Sequence, residues 1–192
     1  MPLPSNTKIL LILDLDETLI HATPIALSTS PDFKVWKYYV YKRPYLDAFL
    51  EQVNQWFKLA IWSSASDDYV LEMVKNIQPK GIEFQFIWGR NRCTLGLKPD
   101  LEDDFSRHTY NNYTHYKKLQ KVKRLGYSLD KTLIVDDTPL KVYHNYGNAI
   151  YPKPFEGNPN DDELLLLAKY LKTLKDVQNV RTIEKRLWRS NI

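Results

Sequence analysis

Three short apolar runs, each stopped by polar residues, constrain this chain more than anything else in it. "KILLIL" (residues 8–13) stops at Asp14, "KLAIW" (58–62) at Ser63–Ser64, and "KTLIV" (131–135) at Asp136–Asp137. Continuous apolar runs of that length suit strands covered on both faces, as in a parallel sheet. The stretches between them have helical spacing. "YLDAFLEQVNQWF" sets Leu46, Phe49, Leu50, Val53 and Phe57 on one face after Pro44, "YVLEMVKNI" does the same with Val70, Val74 and Ile77, and "LQKVKRLG" carries Leu119, Val122 and Leu125 before Gly126. Gly is a usual helix stop. Strands alternating with helices predict an α/β fold, a doubly wound parallel sheet whose ligands bind beyond the carboxyl ends of the strands. All three polar breaks fall on that edge. Asp14, Asp16, Ser63, Asp136 and Asp137 are thus expected in one crevice.

Placing Asp14 and Asp16 against a buried strand is costly, because like charges repel and a carboxylate held from water needs a positive partner. A divalent cation meets that need and neutralises a bound phosphate as well. Mg²⁺ suits the site, since it is usually held by one or two carboxylates plus phosphate and water. Asp136 and Asp137 would complete its shell. In such a site one carboxylate attacks phosphorus and the other protonates the leaving oxygen. Ser63 offers a hydroxyl and a backbone N–H to a phosphate oxygen, and Lys117 or Lys118 a fixed positive charge. The same residues have plainer readings: Ser63–Ser64 as a helix cap, Asp136–Asp137 as an Asx-type turn, and Lys117–Arg124 as a solvated helix face.

Two stretches lie outside the strand–helix rhythm. Residues 22–43 read as a loop followed by a strand or hairpin arm ending at "YYVY". Residues 78–116 are rich in aromatics and turns, with "GRNRC" as a hairpin turn. The 192-residue chain is expected to form one domain, with 78–116 as a small β-containing insertion capping the crevice. Within it Trp88, Arg90 and Arg92 are the candidates for substrate contact, with residues 22–43 as the alternative source of specificity. In the tail, "DDELLLLAKYLKTL" and "VRTIEKRLW" both have amphipathic helical spacing.

Other classes are disfavoured. The longest apolar stretches, residues 9–13 and 164–168, are far short of a membrane span. "MPLPSNTK" lacks the apolar segment of a secretory signal, so a soluble intracellular protein is expected. The net charge of +4 is concentrated in "KKLQKVKR", which favours anionic substrates. No nucleic-acid-binding motif accompanies it. His21 reads as a structural hydrogen-bonding residue, while His108, His115 and His144 lack metal-ligand spacing. The single cysteine, Cys93, has no catalytic base beside it in sequence and reads as inert.

"DLDET" resembles the D-x-D-x-T signature of haloacid dehalogenase superfamily phosphatases. "LDLDETLIH", "YKRPYLDAFL", "IWSSAS" and "LIVDDTP" resemble one branch, the phosphatases acting on the carboxy-terminal domain of RNA polymerase II and their bacterial relatives. "PFEGNPNDDELLLLAKYLKTL" is similar to the closing segment of that branch, so the likeness runs from about Lys8 to the tail. The resemblance implies Asp14 as the nucleophile that becomes an aspartyl-phosphate and Asp16 as general acid and then base. Asp16 would also offer its backbone carbonyl to the metal. It implies Thr18 as a brace of the loop within the phosphate-binding set, Ser63 and Ser64 as phosphate-binding residues, and Lys117, in preference to Lys118, as the phosphate lysine. Asp14, Asp16, Asp136 and Asp137 would hold Mg²⁺. The function so implied is a Mg²⁺-dependent phosphomonoesterase acting on phosphoserine or phosphothreonine in protein. Two alternatives stand beside it: a small-molecule phosphatase of the same fold, and a non-catalytic phosphopeptide-binding scaffold.

Overall fold

A computed structural model describes residues 8–99 and 112–192. In chain order these form β1 (Leu10–Leu13), β2 (Ile20–Thr23), β3 (Phe33–Val35), β4 (Tyr38–Lys42) and α1 (Leu46–Trp56). Next come β5 (Lys58–Trp62), α2 (Asp67–Ile77), β6 (Ile87–Trp88), β7 (Thr94–Leu97) and β8 (Tyr113–Tyr116). The chain ends with α3 (Gln120–Lys123), β9 (Thr132–Val135), β10 (Ala149–Ile150) and α4 (Glu163–Leu174).

The three apolar runs are the three central strands of a parallel sheet ordered β10-β9-β1-β5-β6. Leu10 pairs with both Lys58 and Thr132, so the three strands run in step and end level with one another. After β1 the chain moves outward through β5 to β6, then returns to the other side of β1 through β9. The order therefore reverses at β1, and in sheets of this kind the ligand crevice opens at that reversal.

Alternate residues of β1 feed two separate cores. Leu11 and Leu13 pack with α1, α2 and α4, whose inward residues include Phe49, Val53, Val70, Val74, Leu167 and Leu171. Leu10 and Ile12 face the opposite way, toward Trp62, Trp88, Leu119, Val122 and Val142. The three long helices thus share one face, and the other is closed by α3 and the 3₁₀ segment 139–148. The helix expected from Leu119 to Gly126 shortens to α3, and Leu125 is left exposed. Ser66, with Asp67 and Asp68 behind it, starts α2. Those acidic side chains suit the positive end of a helix dipole. Ser63 and Ser64 lie ahead of that start and do not cap the helix. Gly89 is required where β6 passes α2, because a Cβ there would lie 2.7 Å from Asp67 Cα. Among the described residues no helix is long and apolar enough to cross a membrane.

Several expectations differ from the structure. Residues 24–32 are the expected loop and lead into an arm, the β3–β4 hairpin, to which β2 adds a third antiparallel strand in the order β2-β4-β3. Ile87 and Trp88 pair with β5 in the main sheet, so the inserted part begins after β6. "GRNRC" is a 3₁₀ turn (Arg90–Arg92) leading to the β7–β8 ribbon, not the turn of a hairpin. Residues 100–111 of the insertion, His108 among them, lie outside the described residues. The second tail helix does not form: Val180–Thr182 and Trp188–Asn191 are 3₁₀ turns. Between them Lys185 bends back, its Nζ donating to the carbonyls of Val180 (2.5 Å) and Ile183 (2.6 Å).

What anchors this tail is Trp188. Its indole is fully buried against Tyr170, and its Nε1–H donates to Tyr151 O at 2.9 Å. Replacing a buried Trp by Ala typically costs about 3–5 kcal/mol. Trp188→Ala should show a loss of that size in denaturant unfolding, and a loss under about 1 kcal/mol would mean the tail does not close the core.

Candidate functional site

Each strand-end residue is hung on the last rung of the sheet. The Asp14 N–H donates to Val135 O (2.9 Å), Ser63 N–H to Trp88 O (2.9 Å), and Asp136 N–H to Ile150 O (3.2 Å). Beyond Asp14 the chain folds sharply back, with Leu15 O accepting from the amides of Thr18, Leu19 and Ile20. Glu17 has a positive φ of 58° in this turn. The amides of Leu15, Asp16 and Ser64 have no protein acceptor among the described residues and are available to an anion.

At the centre lies the Lys117 ammonium, fully buried, 2.6 Å from Asp14 Oδ1 and 2.5 Å from Asp136 Oδ2. Burial alone would lower its pKa, but Asp136 and Asp14 on either side outweigh that effect and hold it protonated. Lys141 Nζ is 3.8 Å from Asp14 Oδ2. Burial, together with the nearby Asp14 carboxylate, pushes Asp136 up to about 6 against the pull of Lys117, and raises Asp137 as well. The two oxygens of Asp14 are buried, yet neither accepts a properly directed hydrogen bond among the described residues. The Lys117 contact is a close ion pair without that alignment.

Asp16 sits apart from this cluster. Tyr69 Oη–H donates to its Oδ1 at 2.5 Å and Ser63 Oγ–H to its Oδ2 at 3.3 Å. Burial first, then the Asp14 charge, raise its pKa despite those hydrogen bonds, so it is biased toward the protonated form a proton donor needs. Beyond Asp16 opens a cavity of about 580 Å³ lined in part by Trp36, Tyr38, Tyr69, Lys37 and Arg90.

The residues singled out in the sequence have these places. Asp14, Asp136, Asp137 and Lys117 come together, while Lys118 turns into a separate cavity beside Asn145 and Arg181. The Thr18 hydroxyl is occupied with Asp137, donating to its Oδ1 (3.4 Å) and accepting from its N–H (3.3 Å). It ties the turn to the Asp136–Asp137 loop and is not directed at a phosphate. The Ser63 N–H is likewise committed to the sheet, leaving only its hydroxyl near the site, and the free amide belongs to Ser64. Trp88 is buried between Trp62 and Phe86, so it is core and not a substrate contact. Arg92 is exposed and packs over Trp88, and of the three insertion candidates Arg90 alone lines the cavity. His21 bonds Glu17 (3.3 Å), and burial raises the Cys93 thiol. Two site residues carry little signal in the sequence. Lys141 lies in a segment without periodicity, although a lysine four residues past the acidic pair is a usable cue. Tyr69 looks like one more helix residue.

The residues present fit a divalent cation. Oxygens of Asp14, Asp136 and Asp137 lie within 4.8 Å of one another. Three aspartates (14, 136, 137) face two lysines (117, 141), leaving a charge of minus one when all are ionised. The unsatisfied buried oxygens of Asp14 are what such an ion would bind. The Asp16 carboxylate is not part of the cluster, so only its backbone carbonyl remains as a ligand.

The model of the NLI interacting factor-like phosphatase family matches residues 9–181. Nuclear envelope morphology protein 1 of Schizosaccharomyces pombe is 27% identical over 191 residues, covering 94% of this chain and 36% of that protein. CTD nuclear envelope phosphatase 1 of Xenopus tropicalis is 28% identical, covering 93% and 74%. A CTD phosphatase-like protein of Invertebrate iridescent virus 3 is 30% identical, covering 89% of this chain and 99% of its own length. The chain therefore spans about a third of the fission yeast protein and nearly all of the viral one. Among solved structures, Fcp1, described as an essential RNA polymerase II CTD phosphatase, superposes with a TM-score of 0.66 over 91% of this chain and 69% of its own, at 17% identity.

The crowded carboxylates set a pH dependence. Asp136 is pushed up to about 6 and Glu17, by burial and the neighbouring Asp16, up to about 7. Unfolded, both titrate near 4. Between about pH 4 and 7 these two carboxyls hold more protons in the folded protein than in the unfolded chain, so their contribution to stability falls as pH rises. A cation in the crevice would offset the carboxylate charge that burial makes costly. Denaturant unfolding in excess chelator should show lower stability at about pH 7.5 than at about pH 5, and Mg²⁺ should narrow the gap. Stability that rises with pH in chelator would contradict this charge arrangement.

Proposed function

The chain belongs to the NLI interacting factor-like phosphatase family, and from that premise we propose that it is a Mg²⁺-dependent phosphomonoester hydrolase working through an aspartyl-phosphate on Asp14. The substrate proposed is phosphoserine or phosphothreonine in protein. The observation that carries the reading is Asp14 itself: a buried carboxylate at the sheet reversal, with both oxygens lacking directed hydrogen bonds, flanked by two lysines. A carboxylate so placed is desolvated and oriented, and is free to form a bond.

In the first half-reaction an Asp14 oxygen attacks phosphorus while the bond to the leaving oxygen breaks. Asp16 gives that oxygen its proton. In the second, Asp16, now a carboxylate, removes a proton from water as the water oxygen attacks phosphorus. The P–O bond to Asp14 then breaks and inorganic phosphate leaves. Ser63 and Tyr69 hold Asp16 on the cavity side throughout. The amides of Leu15, Asp16 and Ser64, with Lys117 and Lys141, offset charge on the transferring group. Mg²⁺ held by Asp14, Asp136, Asp137 and the Asp16 carbonyl would supply the remaining positive charge against the phosphate oxygens. Thr18 braces the loop without touching substrate.

A protein substrate is favoured by the cavity, whose aromatic and cationic lining is larger than a lone phosphate ester would need. The names of the relatives point the same way. We read the whole chain as a single catalytic domain, the β7–β8 insertion bordering the crevice.

Three measurements test this. Asp14→Asn should lower kcat by roughly 10³-fold or more while remaining folded, and excess chelator should abolish wild-type turnover. Undiminished hydrolysis of nitrophenyl phosphate in either case would refute the proposal. Asp16→Asn should depress turnover of an alkyl phosphate far more than that of nitrophenyl phosphate, because a good leaving group needs little protonation. Equal losses on both would remove Asp16 from the acid role.

A further inference from the structure

The cavity beyond Asp16 holds two cations that the phosphoryl chemistry does not use. Lys37 comes from the turn between β3 and β4, and Arg90 from the segment following β6, so two unconnected elements bring them to one lining. Both are exposed, and neither has a carboxylate partner among the described residues. Arg90 is held in place: its N–H donates to Ala65 O (2.8 Å) and its Nε–H to Ser64 O (2.9 Å). Its terminal nitrogens have no protein acceptor among the described residues. Lys37 Nζ lies 5.4 Å from the Tyr38 ring. Between these cations and Asp16 runs an aromatic surface, with Tyr69 6.3 Å from the Trp36 ring and edge-on to Tyr38 at 5.8 Å. Trp36 sits at φ 50°, a left-handed backbone that bulky residues rarely adopt, at the tip of the turn carrying Lys37.

The phosphate to be cleaved already has Lys117 and Lys141 opposite it. Glu17 also lines this cavity but is engaged with His21, and the two further unpaired cations complement a second negative charge. We infer that Lys37 and Arg90 select phosphopeptides carrying an acidic or second phosphorylated residue close to the phosphoresidue. Arginine's fork suits a carboxylate or phosphate, and the aromatic surface carries the intervening peptide. This substrate class rests on the phosphatase reading above.

The test uses four labelled peptides that share one phosphoserine and differ in its flanks: neutral residues, a Glu, a second phosphoserine, or a Lys. Affinity is read by fluorescence anisotropy and turnover by phosphate release, at low and high salt. Wild type should bind the two anionic peptides several-fold more tightly than the neutral one, with the advantage shrinking in salt. In Lys37→Gln/Arg90→Gln the anionic-to-neutral affinity ratio should fall to about one, and Lys37→Glu/Arg90→Glu should prefer the Lys-flanked peptide. Equal wild-type affinity for neutral and anionic peptides, or an anionic preference surviving both double variants, overturns the inference. If the affinity order holds but no peptide or nitrophenyl phosphate is hydrolysed, the phosphatase reading fails and the charge selection stands. If hydrolysis occurs without that order, the charge selection fails and the phosphatase reading stands.

Discussion

A single buried ammonium group organises this molecule. Lys117 is fully enclosed, and its side chain lies between Asp14 at the end of β1 and Asp136 at the end of β9. Its own backbone is pinned as firmly: the N–H donates to Lys141 O (2.7 Å), and its carbonyl accepts from the Asn145 side chain. Without Lys117 the two adjacent carboxylates would face each other with Lys141, 3.8 Å from Asp14, left to offset them. Breaking a buried ion pair from one side generally costs about 3–5 kcal/mol, a large fraction of a domain's stability. Well-packed apolar residues of the same volume often serve stability as well or better, so the pair is a poor device for stability alone. It makes sense as the means of aligning Asp14 where a phosphorus atom can approach.

A second cation links this centre to the segment before α4. Arg43, with its side chain wholly buried, donates to both oxygens of Asp161 (2.7 and 2.9 Å), to Lys153 O (2.9 Å) and to Thr18 O (3.1 Å). Thr18 in turn joins Asp137. The turn bearing Asp16 is thus cross-tied to the segment before α4 on one side and to the Asp136–Asp137 loop on the other. Bidentate arginine–carboxylate geometry is well suited to fixing such a joint. The family model, extending to residue 181, includes this segment along with the acidic motifs.

The strands and the acidic pairs are legible because their signals are local. An uninterrupted apolar run needs no partner to be read as a buried strand, and the polar residues that follow Leu13, Trp62 and Val135 share one edge whatever the details of packing. Lys117 can be preferred over Lys118 by resemblance, but periodicity does not separate adjacent lysines; only the fold sends one inward and the other to a different cavity. Trp88 shows the opposite failure. Beside two arginines it looks like a recognition residue, yet its pairing with β5 buries it against Trp62. The tail misleads for a similar reason. "VRTIEKRLW" has helical spacing, but the carbonyls that would continue a helix are taken by Lys185, and Trp188 is captured by a distant backbone oxygen. Contacts across more than a hundred residues, as in Thr18 with Asp137, leave no trace in spacing.

If Asp14 forms the covalent bond to phosphorus, that bond can be trapped and located. Wild-type protein mixed with phosphorylated peptide in Mg²⁺, quenched in acid within the turnover time and digested, should yield the peptide containing Asp14 with one added phosphoryl group located on that residue. Asp14→Asn should yield none. A phosphoryl group found on another residue, or steady hydrolysis with no adduct under conditions that trap the reacting enzyme, would exclude Asp14 as the nucleophile.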